Sequence, residues 1–316
     1  MVPLTLYWSP DFLNHRVSPG HPESPSRLEA VRKGLEAAGQ WDRLVLEDAR
    51  PAVLDELLAV HPQGYLLRLE EAAGNGPATI DSPDTELSPG SWTAALKVAG
   101  AGFQAVDAVL EGASRTAFIL GRPPGHHALP AQAMGFCLLA NVALAVEYAR
   151  NRHGLERVAV IDWDVHHGNG TQDIFYGSDQ VLYISLHEWP LFPGTGAAEE
   201  KGMGRGRGFT LNFPLAAGNG DSEYLGILEG PIAEALLNFR PELIFISAGF
   251  DAHENDPLGH MNVTTGGFGE LSSCVGKLAA EVCSGRIVSF LEGGYHLGGL
   301  AESVAVHLEV LATGPS

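Results

Sequence analysis

The most constraining stretch of this 316-residue chain is Val158–Gly170, Val-Ala-Val-Ile-Asp-Trp-Asp-Val-His-His-Gly-Asn-Gly. A short apolar run that stops in carboxylates, imidazoles and glycines predicts a buried strand with a reactive tip. In an open α/β sheet, ligands bind at the carboxyl ends of the strands. Alternation along an extended chain points Asp162, Asp164 and His166 the same way, enough for half of a metal site.

Four other apolar runs end in the same manner. Ala117–Leu120 leads into Arg122-Pro123-Pro124-Gly125-His126-His127, and Val181–Leu186 into His187-Glu188. Leu243–Ser247 leads into Gly249-Phe250-Asp251-Ala252-His253, and Ile287–Leu291 into Glu292-Gly293-Gly294-Tyr295-His296. Between these runs lie helical patterns: 26–38, 53–60, 65–73, 91–111, 138–152, 171–176 and 223–239, the last interrupted at Gly230-Pro231. Leu4–Trp8 and Phe209–Phe213 complete the expected strands, and Ser24 or Ser26 is a candidate cap for the first helix. The Pro-, Asp- and Ser-rich segment 76–90 and the segments 121–135 and 190–208 read as loops. Strands alternating with helices predict an α/β fold, a mostly parallel sheet covered on both faces. No linker or repeat divides the sequence, so residues 1–316 read as one domain.

Composition narrows the function. Hydrophobic residues make up 45% of the chain and the formal net charge is −19. Such a charge argues against nucleic acid as a direct partner, because phosphate binding relies on Lys and Arg, and it favours a cationic substrate. Cys137, Cys274 and Cys283 fit neither a disulfide framework nor a Cys-rich metal site. Reduced thiols and the absence of a signal-like N-terminus lead to the expectation of a cytoplasmic protein. The apolar segment 92–110 carries Lys97 and Asp107 and reads as a buried helix, not a membrane span.

Asp164 and His166, with Asp251 as the best third ligand, leave an open coordination position of the kind a catalytic Zn²⁺ uses. Fe²⁺, Co²⁺ or Mn²⁺ suit the same donors. His126 and His127 are acid/base candidates, with Asp162 and Asn169 available to orient them. Asp162 has an alternative use, binding a monovalent cation with backbone carbonyls. Tyr295, flanked by glycine, is placed to donate to an oxyanion. There is no Gly-x-Ser-x-Gly elbow for a serine hydrolase, and Asp251-Ala252-His253 lacks the second Asp of a two-manganese site. Gly202-x-Gly204-x-Gly206-x-Gly208 precedes a strand and does not open a helix, unlike a phosphate loop. Asp81 and Asp84 are candidate rim residues, as are His253 and His260, while His15, His61, His153 and His307 read as surface or helix residues.

These pieces, in order, resemble the zinc-dependent histone deacetylase family, including its bacterial amidohydrolases and the acetylpolyamine amidohydrolases. The matching segments are His21-Pro22-Glu23 with Pro25 and Arg27, Pro124–Ala128, Gly135-Phe136-Cys137, Asp162–Gly170, Ser185-Leu186-His187, Phe192–Gly196, Ser247–Asp251, Asp256-Pro257-Leu258 and Glu292–Tyr295. The resemblance implies the arginase/deacetylase fold and hydrolysis of an acylated lysine or acylated polyamine. It implies Zn²⁺ on Asp164, His166 and Asp251, with His127 as base and then acid beside His126. Asp162 and Asn169 then orient those imidazoles, and Tyr295 polarises the carbonyl. Asn at 169 resembles the class II branch. Phe136 and Phe192 become tunnel walls, and the Gly135 carbonyl an acceptor for the substrate amide. A structural K⁺ is implied at Ser185, Leu186 and Asp162, and a second near Phe175, Ser178 and Val181. Leu258 stands where polyamine-directed members can carry a gatekeeping Glu, which favours acyl-lysine.

Overall fold

The computed structural model describes residues 4–313. In chain order the elements are β1 (Leu4–Trp8), α1 (Ser26–Ala37), β2 (Val45–Asp48), α2 (Leu54–Leu57), α3 (Gln63–Gly74), β3 (Ala78–Ile80), β4 (Ser82–Leu87), α4 (Ser91–Leu110), β5 (Thr116–Ile119) and α5 (Asn141–His153). There follow β6 (Val158–Asp162), α6 (Asn169–Phe175), β7 (Val181–Glu188), β8 (Thr210–Leu215), α7 (Asp221–Ile227), α8 (Ala233–Phe239), β9 (Leu243–Ala248), α9 (Thr265–Cys283), β10 (Ile287–Leu291) and α10 (Leu297–Thr313).

Eight strands form one sheet in the order β2-β1-β5-β10-β9-β6-β7-β8, and every pairing within it is parallel. The strands β5, β6, β7, β9 and β10 are buried along their whole length. That explains why they read as continuous apolar runs with no alternation. β1 and β5 each touch both α4 and α10, so the sheet is sandwiched between helices. α4 packs on α5, and α10 packs on α1 and α9.

The topology places the site. After β5 the chain leaves a gap, builds β6, β7 and β8 outward, and only then returns to insert β9 and β10 between β5 and β6. Since all these strands run one way, their carboxyl ends meet on one edge. Four of the five ionisable strand ends of the sequence, those of β5, β6, β9 and β10, therefore converge, while His187 and Glu188, expected to follow β7, lie within it.

Several expectations need correction. The segment 76–90 is not all loop: β3 and β4 form an antiparallel ribbon with a register shift at Thr79/Ile80. Pro83 and the acidic residues hide that ribbon from a propensity reading. β2 was also missed, because it is a fully exposed edge strand. The helix expected over 138–152 starts at Asn141. It ends at Gly154, whose φ of 73° is the left-handed conformation a helix C-terminus favours. At Gly230-Pro231 the α-helical pattern is interrupted as expected. The chain passes through a π turn, Leu228–Ile232, that links α7 to α8 and accommodates the missing N–H of Pro231. Neither Ser24 nor Ser26 caps α1, whose N-cap is Pro25 without a side-chain bond.

α4 runs close beneath the segment that follows β2. A Cβ on Gly100 would lie 2.0 Å from the Arg50 carbonyl oxygen and 2.8 Å from the Ala52 nitrogen. Both atoms are backbone and cannot rotate away. Gly100→Ala is expected to destabilise the fold by ~1–3 kcal/mol, the usual cost of overpacking, seen as a lower midpoint in thermal melts. An unchanged midpoint would contradict this packing.

Candidate active site

The loops after β5, β6, β9 and β10 are tied together by buried carboxylates that accept main-chain N–H groups from their neighbours. Asp251 Oδ1 accepts from Val165 N at 2.9 Å, and Asp164 Oδ2 from Gly293 N at 2.8 Å. Glu292 Oε2 accepts from Gly125 N at 2.6 Å and His126 N at 3.2 Å. Asp162 Oδ1 accepts from Asp164 N at 3.2 Å. All four acids are buried. Glycines make room for them. A Cβ at Gly168 would sit 2.1 Å from Asp162 Oδ2, at Gly249 2.2 Å from Asp164 Oδ2, and at Gly293 2.1 Å from Asp251 Oδ2.

Asp164, His166 and Asp251 bring one ligand atom each within 4.8 Å of one another, all buried, and form the one such group of metal-ligating side chains among the described residues. His166 Nδ1 lies 3.1 Å from Asp164 Oδ1 and 3.0 Å from Asp251 Oδ2. One imidazole nitrogen carries one proton and cannot serve both carboxylates. A divalent cation bonded to all three satisfies every donor atom, so this donor set fits a metal. The charges pull the same way. Burial and the charge of Asp164 push the Asp251 carboxyl up to about 7. Burial works against a charge on His166, but its bonds to Asp164 and Asp251 prevail and raise it to about 10.

The histidine pair lies beside this cluster, with ring centroids 4.0 Å apart. His126 Nδ1 is 3.1 Å from Asp162 Oδ2, which also accepts from the Tyr183 hydroxyl at 3.2 Å. Burial disfavours a charged His126, yet Asp164 and Asp162 outweigh it and hold its pKa well above the ordinary imidazole value. His127 is the opposite case: burial, then the charges of His126 and His166, lower it well below that value. His127 Nδ1 is 2.8 Å from Asn169 Oδ1. The Asn169 amide nitrogen faces Met134 Sδ at 3.5 Å, which fixes its oxygen toward His127. With the Asn169 oxygen as acceptor, the neutral form of His127 carries its proton on Nδ1 and leaves Nε2 a free base.

Aromatic rings frame the approach. The Phe192 ring, 39% exposed, lies edge-on 5.1 Å from His127 and 6.3 Å from His166. Phe136 lies 6.0 Å from Tyr295 and 4.8 Å from His21. Gly135 and Phe136 both have positive φ, 53° and 68°. That is unfavourable for an aromatic residue, and strain of this sort collects at sites where a side chain must be aimed. A Cβ at Gly135 would strike His127 Cδ2 at 2.4 Å, so only glycine fits against the histidine pair. The Gly135 carbonyl meets Cys137 Sγ at 3.3 Å. Leu258 is half-buried. Burial raises the Tyr295 phenol well above its ordinary value, with Arg27 opposing the shift, and the Arg27 guanidinium lies 4.9 Å from the Tyr295 ring.

Other sequence assignments fall differently. The Ser185 hydroxyl is buried and meets His187 Nδ1 at 2.9 Å. The Phe175 carbonyl accepts from Ser178 N at 2.9 Å, and Val181 is the first residue of β7, paired with Val158. His15 and His61 are neither surface nor helical residues. His15 is buried against Ser91 and Glu23, and His61 bridges the Pro130 carbonyl and Ala140 N. His307 is in α10 but fully buried between Ser272 and Ser289. His153 is in α5 and pairs with Asp107. Asp81 is occupied by Arg68 and Ala133 N, and Asp84 by Ser82 and Thr85. His253 is buried against Thr265. His260 is exposed and bonded to Glu188.

Sequence reasoning missed the support of the site. Glu200 accepts from Gly196 N and Ala197 N, and its bond from Gln172 leads to His167 and Thr195. This network holds the loop that carries Phe192. Glu23, fully buried, receives both Arg27 and Arg122. Arg27 continues to the carbonyls of Glu292 and Gly294. The available signal was an acidic residue inside an otherwise Gly/Pro-rich motif.

A parallel α/β sheet whose strand ends gather two carboxylates and an imidazole around one point has the architecture of the arginase/deacetylase fold, with a donor set that could hold a metal ion. The histone deacetylase domain profile matches residues 21–311. The histone deacetylase-like amidohydrolase of Pseudomonas aeruginosa is 46% identical over 277 residues, 87% of this chain and 73% of that protein. A probable deacetylase of Archaeoglobus fulgidus is 42% identical over 291 residues, 92% of this chain and 80% of that protein. The human polyamine deacetylase HDAC10 is 39% identical over 306 residues, 93% of this chain but 45% of that longer protein. The solved HDA15 HD domain superposes with a TM-score of 0.93 at 36% identity, covering 99% of this chain and 90% of that one. The chain belongs to the histone deacetylase family, a family of deacetylases and amidohydrolases. Among the described residues no helix is long and apolar enough to cross a membrane.

Gly293→Ala tests the geometry of the cluster, because the added methyl would lie 2.1 Å from Asp251 Oδ2 and 2.6 Å from Asp164 Oδ2. Divalent-metal affinity, titrated calorimetrically with Zn²⁺, is expected to fall on the order of 10–100-fold, the usual effect of disturbing a ligand's support. Unchanged affinity would contradict the assignment of these carboxylates.

Proposed function

We propose that residues 1–316 form one catalytic domain, a zinc-dependent deacylase that hydrolyses the amide of an acylated lysine side chain. The observation that carries this reading is a metal-fitting Asp-His-Asp cluster beside two adjacent histidines, one bonded to Asp162 and the other to Asn169. Asp164, His166 and Asp251 hold the ion, for which Fe²⁺, Co²⁺ or Mn²⁺ can substitute. Zn²⁺ bound there supplies Lewis acidity toward the acyl carbonyl and the attacking water.

The rest of the chemistry belongs to the chain. Nε2 of His127 takes a proton from water as it adds to the acyl carbon, while Asn169 keeps the other nitrogen protonated. The same proton then passes to the departing amine as the C–N bond breaks, leaving a carboxylic acid and an amine, and the acid's remaining proton moves to the amine to give carboxylate and ammonium. His126, oriented by Asp162 and with its pKa held up by Asp164 and Asp162, stabilises developing negative charge beside His127. Tyr295, with its phenol kept neutral, donates to the oxyanion. Phe136, Phe192 and Leu258 enclose the aliphatic stem and exclude water, and the Gly135 carbonyl accepts from the substrate amide. K⁺ at Asp162, Ser185 and Leu186, and a second near Phe175, Ser178 and Val181, is part of the same reading.

An acetylated polyamine is the second reading, favoured by the acidic charge of −19 and by the likeness to polyamine deacetylases. Leu258 weighs against it, since an aliphatic side chain offers a secondary ammonium no counter-charge. A non-catalytic acetyl-lysine binder is disfavoured by the intact His126-His127 pair and Tyr295. The two buried free thiols Cys137 and Cys283 and the acidic surface suit a cytoplasmic protein with no nucleic-acid or membrane partner.

On the Zn²⁺-loaded protein, kcat/KM for an acetyl-lysine peptide is expected to exceed that for acetylspermidine. A large preference for the polyamine would overturn the lysine assignment, and binding of the peptide without turnover would favour the binder. Tyr295→Phe is expected to lower kcat on the order of 100-fold with KM little changed, because a lone oxyanion donor acts in the transition state. Unchanged kcat would remove Tyr295 from the mechanism.

A further inference from the structure

Tyr295 is reached through a backbone with almost no side chains to fix it. It follows Gly293 and Gly294, and Gly294 has a φ of 121°, a conformation that costs glycine nothing and leaves the turn easy to deform. The loop must therefore be held from outside. One side is held by Arg27, which donates to the carbonyls of Glu292 and Gly294 at 2.5 and 2.7 Å.

The other side is held by Asp256, an acid with no role in the chemistry above. It is 8% exposed, and its Oδ2 accepts from Tyr295 N at 2.6 Å and from His296 N at 3.1 Å. Its Oδ1 accepts from Leu258 N at 3.0 Å. One carboxylate thus joins the Tyr295 loop to the segment that carries the metal-cluster residue Asp251 and the tunnel residue Leu258. The three partners use both oxygens. Bonds from main-chain amides to a carboxylate are charge-assisted and short, and here they are the polar ties between these two loops at Tyr295 and His296.

We propose that Asp256 is the positioning residue for Tyr295: by gripping its main-chain N–H it sets where the phenol sits relative to the cluster, and through Leu258 it couples that position to the tunnel wall. The inference rests on the oxyanion role of Tyr295. Asp256 does not touch the reacting atoms. Its contribution passes through a neighbour and disappears when that neighbour's hydroxyl is removed.

A double-mutant cycle with Tyr295→Phe separates the two ideas. Asp256→Asn keeps an acceptor for Leu258 N and puts a donor where Oδ2 faced the two amides. With zinc content and thermal midpoint checked for each variant, Asp256→Asn is expected to lower kcat on the order of tenfold, the scale of one lost charged hydrogen bond, with KM within about twofold. In the Tyr295→Phe background the same change is expected to add less than about twofold. Full multiplication of the two losses, or an unchanged kcat in Asp256→Asn, would overturn the proposal while leaving Tyr295 in its role. Undiminished turnover in Tyr295→Phe would instead overturn the oxyanion reading, and the positioning role with it. A second measurement needs no variant: in hydrogen exchange of the wild-type protein, the amides of Tyr295 and His296 are expected to be protected despite the glycine-rich turn. Exchange at the rate of free peptide would also overturn the proposal.

Discussion

The structure depends on a small set of carboxylates held away from water. Asp162, Asp164, Asp251 and Glu292 are each buried, where an unpaired charge is costly. Each is matched by main-chain N–H groups, and Asp164, Asp251 and Glu292 draw theirs from a different strand-end loop. The same bonds that satisfy the acids therefore lock the loops after β5, β6, β9 and β10 into register. What remains uncompensated is negative charge, and the site answers it unevenly. Asp164 and Asp162 hold the His126 pKa up against burial, burial with His126 and His166 holds that of His127 down, and Asp164, His166 and Asp251 form a donor set that could hold a cation. Structure and chemistry answer to the same electrostatic requirement.

The sheet topology makes that arrangement possible and also makes it late in the sequence. β9 and β10 fill the gap between β5 and β6, so Asp251, Glu292 and Tyr295 reach the histidine pair only when the last strands insert. Contacts of such long sequence separation carry a large loop-closure cost. Rigid central strands offset it by fixing the reactive groups closely, whereas the flanking loops need their own ties. Glu200 serves the Phe192 loop, Arg27 and Asp256 the Tyr295 loop.

Much of this was legible in the sequence, for physical reasons. Buried strands announce themselves as mostly apolar runs, so β1 and β10 are legible with their observed limits despite Thr5 and Ser289. Acids and imidazoles at the ends of such runs have few structural uses, so Asp164, His166 and Asp251 could be grouped before any geometry was known. Features decided by distant partners were not legible. β2 is a strand because β1 lies beside it, and β3 and β4 are strands because each has the other. His15 and His61 looked like surface residues because nothing local reveals Glu23, Ser91 or the Pro130 carbonyl. Glu292 and Asp256 were visible as letters in motifs, but their acceptor role is a property of loops that are remote in sequence.

The central claim is that one metal ion in the Asp164, His166, Asp251 cluster supports amide hydrolysis. Chelated protein should be titrated with Zn²⁺ while turnover of an acetyl-lysine peptide is followed. Activity should be absent at the start and rise linearly to a plateau at one ion per chain. Full turnover in the chelated protein, or a plateau that needs two ions per chain, would contradict the account.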